Sequence, residues 1–116
     1  MIRRSNEMEQ EFRERMRDGN GTATIKNLFR QGELRGKARL VAEISLPPGA
    51  SIGAHRHDNE EEIFYFISGT GRVNDNGVSR DVKAGDAMLT GDGASHSVEN
   101  TGSEPLVFFA TILLYS

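Results

Sequence analysis

The 116-residue chain contains no cysteine and no tryptophan, and only three prolines and three histidines. Without cysteine it can build neither a disulfide framework nor a thiolate metal site. Charge of one sign is not in large excess either: 14 Lys and Arg against 17 Asp and Glu give a net charge of -3. That balance provides no general attraction to nucleic acid or to an anionic membrane, so neither is expected as a partner. Long apolar runs are also missing. The longest, Leu106-Val-Phe-Phe-Ala-Thr-Ile-Leu-Leu114, falls well short of the about 20 residues that span a bilayer. The start, Met1-Ile-Arg-Arg-Ser-Asn-Glu7, lacks the apolar stretch of a secretory signal. A soluble, cytoplasmic protein is expected. The length allows one compact domain and no second catalytic one. A core this small is thin, and a metal or a partner subunit would help to stabilise it.

What is present falls into two parts, residues 1–21 and 22–116. In the first, charges alternate in sign, and Met8, Phe12 and Met16 recur every four residues. Glu9 with Arg13 and Glu11 with Arg15 would be favourable pairs on a helix. A short amphipathic helix, an extended arm packed on a neighbour and a solvated charged lead-in all fit this pattern. Asp18-Gly-Asn-Gly21 ends the segment with turn chemistry. From Thr22 onward the period becomes two. Strands are expected at 22–29, 39–46, 51–57, 62–68, 71–74, 78–82, 87–90, 96–100 and 106–113. Pro47-Pro-Gly49 stops the second of them, and Asn76-Gly77 between two short runs is a hairpin signal. Many short strands with glycine-rich turns and no interior helix point to an all-β barrel or sandwich. The last strand is apolar at consecutive positions, as strands covered on both faces are. In so small a barrel the second cover is expected to be another subunit, making a homodimer.

His55 and His57 are one residue apart, so on a strand both imidazoles share a face. Glu62, Phe64 and Phe66 share a face on the next strand, which sets an acid beside an aromatic wall. The third histidine, His96, lies in a distant segment. Gly49, five residues, His55-Arg-His57, four residues, Glu62, six residues and Gly69 resemble the first motif of the cupin family. Gly85, five residues, Gly91, one residue, Gly93, two residues, His96, three residues and Asn100 resemble the second, with Gly91 where the family usually has proline. The resemblance spans about 40–114 and implies a double-stranded β-helix, the jelly-roll or cupin barrel.

Carried over by position, the family's metal ligands fall on His55, His57, Glu62 and His96. Neutral imidazoles and a carboxylate suit one divalent transition metal, Mn, Fe, Ni, Cu or Zn. An octahedral ion so held keeps positions open for substrate, unlike a closed structural zinc site. By alternation Phe64, Phe66 and Val98 are expected to line the cavity, with Met88 or Thr90 nearby, although ordinary core packing would also explain Phe64, Phe66 and Met88. Asn100 is expected to serve strand-end backbone, and Glu60 and Glu61 to form a solvated acidic run. The family's chemistry implies a metalloenzyme acting on a small oxygen-bearing substrate such as an organic acid, a diol or a sugar derivative. The metal would act as Lewis acid or oxygen activator, in a dioxygenase, decarboxylase or isomerase type of reaction. Oxalate decarboxylases usually carry an arginine where this chain has Ile52, which weakens that assignment. Lys37 and Arg39 flank the second expected strand and could supply the cationic phosphate pocket that sugar-phosphate isomerase cupins need, although exposed charge is the commoner reading of such residues. The alternative is a non-catalytic module in which the metal positions a small-molecule ligand for binding or sensing.

Overall fold

The computed structural model describes all 116 residues, Met1–Ser116. Ten strands follow one another: β1 (Glu9–Glu14), β2 (Thr22–Asn27), β3 (Ala38–Leu46), β4 (Ser51–Arg56), β5 (Glu60–Ser68), β6 (Thr70–Asp75), β7 (Val78–Lys83), β8 (Ala87–Gly91), β9 (Ser95–Asn100) and β10 (Leu106–Leu114). They form two antiparallel sheets, ordered β1-β2-β3-β10-β5-β8 and β4-β9-β6-β7. No helix is long and apolar enough to cross a membrane.

Period-two burial sets which side chains enter the space between the sheets. On β5, Glu60, Glu62, Phe64 and Phe66 are all buried, and on β10, Leu106, Phe108, Ala110 and Ile112 are. The outward positions of β10 are half-buried or exposed within one chain. Phe64, Phe66 and Phe108 are each at most 2% exposed and form the aromatic centre of the core. The hairpin at Asn76-Gly77 has positive φ at both residues (48° and 98°), as a two-residue turn requires. Asn100, buried, donates from Nδ2 to Leu46 O and Glu104 O and accepts from Gly102 N, stitching strand ends together.

Residues 9–14 do not form a helix. They pair in register with β2, from Glu9 opposite Asn27 to Glu14 opposite Thr22, as an edge strand of the larger sheet. Local spacing allowed a helix, but backbone pairing with β2 satisfies these groups instead. The first residues are tied down by Arg3, whose guanidinium meets Glu33 and the Leu28 carbonyl.

Two irregularities of register change which side chains reach the barrel interior. Ile52 and His55 of β4 lie opposite Val98 and His96 of β9, so β4 carries one extra residue between them. Leu40 and Ala38 of β3 lie opposite Ile112 and Leu113, which makes Arg39 the extra residue there. A bulge re-aims side chains relative to strict alternation. The first lets both Ile52 and His55 face inward, and the second turns Arg39 toward the barrel interior.

Candidate metal centre

The small sheet supplies the three imidazoles. His55 and His96 face each other directly on β4 and β9, and His57 follows at the end of β4. Glu62 comes from β5 in the opposite sheet, so the group bridges the barrel. His57, His96 and Glu62 are 2%, 1% and 5% exposed, whereas His55 is half-buried on the open side. The candidate donor atoms of the four residues all lie within 4.8 Å of one another.

Each imidazole is oriented through its far nitrogen. His55 Nδ1–H donates to Gly53 O at 2.8 Å, and His57 Nδ1–H to Glu60 Oε2 at 2.5 Å. A carbonyl and a carboxylate only accept, which fixes both tautomers and leaves Nε2 as a bare lone pair. His96 Nδ1 lies 2.9 Å from the Thr90 hydroxyl, which can take its proton and leave Nε2 bare in the same way. His96 Nε2 then stands 3.0 Å from His57 Nε2, 3.1 Å from His55 Nε2 and 3.0 Å from Glu62 Oε1. Acceptors facing acceptors at these distances call for a cation among them. The pKa directions mark the same demand for positive charge between Glu60 and Glu62. Burial alone would lower the His57 pKa, but Glu62 and Glu60 outweigh it and leave it raised. Burial likewise pushes Glu62 up, and His57 and His96 more than reverse that. His55 is lowered, chiefly by burial, which keeps it neutral as a ligand must be. The donor set therefore fits a divalent transition ion.

Glu60 is not part of a solvated acidic run. It is 8% exposed, on the same inward face as Glu62, and Arg39 Nε and Nη2 donate to its two oxygens at 2.7 and 2.8 Å. Arg39 foremost, with His57 adding to it against the effect of burial, holds the Glu60 carboxyl at about 2. The chain Arg39–Glu60–His57 thus fixes one imidazole as metal-site histidines commonly are fixed. A Glu60→Gln variant should bind metal about 10–100-fold more weakly, read by chelator competition; unchanged affinity would show that Glu60 does not orient His57.

The cavity beside this group measures about 100 Å³ and is lined by Phe64 but not by the other four residues expected there. Phe66, Met88 and Val98 lie in the packed core, and Thr90 stands behind His96. Alternation predicts an inward side chain but not whether it meets space or another side chain. Phe64 stacks on His96, with ring centroids 4.8 Å apart. The remaining walls include Leu40, Ile44, Ile52 and Ile112, together with Glu11, Arg13, Met16 and Arg17 from the N-terminal segment and Arg39. Neither motif spacing nor strand alternation assigned any of these charged residues to the site.

A family model of the cupin domain matches residues 42–112. The chain is a cupin. An oxalate-binding protein of Thermotoga maritima is 44% identical over 98% of this chain and 94% of its own length. The crystal structure of a predicted oxalate decarboxylase from Thermotoga maritima superposes with a TM-score of 0.94, at 44% identity, over 98% of this chain and 99% of that one. The oxalate decarboxylase OxdC of Bacillus subtilis is 39% identical, but over 62% of this chain and only 20% of its own. A polyketide cyclase of Streptomyces resistomycificus shares the fold at a TM-score of 0.78 and 18% identity, over all of this chain and 81% of that one.

Proposed function

We propose that this cupin holds one divalent transition metal on His55, His57, Glu62 and His96 and uses it to bind a short organic acid, oxalate or a close relative. The observation that carries this reading is the convergence of imidazole lone pairs and one carboxylate beside a cavity of about 100 Å³. Sites for drug-sized ligands run to roughly 300–1,000 Å³, so an acid of a few heavy atoms fits better than a sugar derivative. The 44%-identical relative named as oxalate-binding supports the same class. When bound, the metal would supply Lewis-acid polarisation or oxygen activation.

The chain's own residues supply the surroundings. Ile44, Ile52 and Ile112 keep water from much of the cavity, and half-buried His55 marks its open side. Glu11 is the one cavity carboxylate besides Glu62. Hydrogen bonds from Asn27 and then Arg13 lower its pKa, so it stays ionised and is a weakened base. The likeness to the oxalate decarboxylase of Bacillus subtilis supports an enzyme. The alternative, a binding module without turnover, is favoured by the name of the oxalate-binding relative.

Elemental analysis of the purified protein should find a stoichiometric divalent metal. Oxalate at about 100 times its Kd should then add about 2.7 kcal/mol of stability, raising Tm by roughly 10 °C. A protein that takes up no metal, or whose melting no small carboxylate shifts, would sink the reading. Time-dependent loss of oxalate separates the enzyme from the binding module.

A second copy of the chain is the partner that suits the outer face of the larger sheet. Phe109 pairs with Tyr65 and Ile63 with Leu89 across neighbouring strands there, and Tyr65 and Leu89 are 48% and 61% exposed. Adjoining apolar side chains of this kind mark an interface. Light scattering should give twice the mass of one chain; the mass of a single chain would overturn the dimer.

A further inference from the structure

Three arginines line the cavity: Arg13, Arg17 and Arg39. Arg39 is committed to Glu60 through two hydrogen bonds, and Arg13 pairs with Glu11 at 3.1 Å. Arg17 is exposed and takes part in none of the chain's ion pairs.

Its position is nevertheless tightly specified. Arg15, Arg17 and Asp18 have φ of 49°, 54° and 64°, the left-handed region that residues with a Cβ rarely enter. The turn they make is fastened to β4, with Ser51 N donating to Asn20 O at 2.8 Å and Asn20 N to Ser51 Oγ at 2.9 Å. The two backbones touch across glycine. A Cβ at Gly53 would lie 1.9 Å from Arg17 O, and one at Gly19 would lie 2.2 Å from Ser51 O. Gly53 O is also the acceptor for His55 Nδ1. One residue therefore registers Arg17 against a member of the metal group.

We infer that Arg17 is the anion-recognition residue of this cavity, its guanidinium engaging a ligand carboxylate whose other oxygens lie toward the metal centre. This deepens the small-acid reading and rests on it. A guanidinium presents parallel N–H donors that match a carboxylate, and an arginine free of ion pairs can make that contact without first breaking one. Strain at three residues of one turn persists when the surrounding structure demands it, and here it holds Arg17 among the residues lining the cavity.

The test uses metal-loaded protein titrated calorimetrically with oxalate, with metal affinity and Tm measured separately. Arg17→Gln should weaken oxalate binding by about tenfold or more, as expected for losing a charge-assisted hydrogen bond at a partly open site. Metal affinity and Tm should stay at the wild-type values, and Arg17→Lys should recover part of the loss. Equal oxalate affinity in wild type and Arg17→Gln would overturn the assignment while leaving the small-acid reading intact. A variant that loses metal along with oxalate would also overturn it, since Arg17 would then act on the centre. No oxalate binding by the wild type would overturn both.

Discussion

A His96→Ala variant is expected to purify with far less than one metal per chain. His96 Nε2 is the atom that lies within about 3.1 Å of a donor on each of the other three residues, so it occupies the middle of the group. Its ring is held from two further sides, by Thr90 at Nδ1 and by Phe64 stacked on its face. Four-ligand sites bind zinc with apparent free energies of about 10–16 kcal/mol near neutral pH. An even share for one ligand is about 3–4 kcal/mol, or roughly 10²–10³ in affinity. The same substitution removes a buried ring and leaves a gap against Phe64, so melting of the metal-free protein must be compared as well. His96→Gln, which fills more of that space, should lose metal similarly while melting closer to the wild type. Elemental analysis after dialysis reads the outcome. Stoichiometric metal in His96→Ala would mean that the four residues are not the ligand set.

The same centre shows which parts of the protein are written locally and which are not. Strand positions were legible because period two is a property of a few neighbouring residues, and all nine expected strands from Thr22 onward are present within a few residues of their bounds. The convergence of His55, His57, Glu62 and His96 was legible through motif spacing. What escaped depends on contacts between distant segments. Glu60 shares the inward face of Glu62, yet Arg39 and His57 make its burial tolerable, and Arg39 turns inward because of a bulge that alternation does not reveal. The N-terminal segment could be helix or strand by its own pattern, and β2 decided the matter by offering a ladder. Its charges allowed a solvated lead-in as well as a packed arm, and Glu11, Arg13 and Arg17 line the cavity. The expected lining of Phe66, Met88 and Val98 followed parity correctly but could not locate the boundary between packed core and open space.

That boundary runs through the aromatic centre, and Phe108→Ala should test it with a large loss of stability. Phe108 is fully buried on β10, between β3 and β5 in the larger sheet, with its ring 4.6 Å from Phe64 and 5.4 Å from Phe66. Truncating a buried phenylalanine costs about 3–5 kcal/mol through lost burial and the cavity left behind. Small domains are stable by only about 5–15 kcal/mol, so the metal-free variant should stand close to unfolding. Its Tm should drop by roughly 10–25 °C. A metal bound by the folded state alone would restore part of that difference by mass action. Phe108 packs on Phe64, which in turn stacks on His96, so metal affinity of the folded variant should fall by less than about tenfold, below the range expected for the Glu60 contact. The two substitutions therefore separate packing from ligation: His96→Gln should lose metal with little loss of apo stability, and Phe108→Ala the reverse. Phe108→Ala melting within about 1 °C of wild type would show that the barrel does not depend on its aromatic centre. Parallel loss of metal and stability in both variants would show instead that the centre and the core form one cooperative unit.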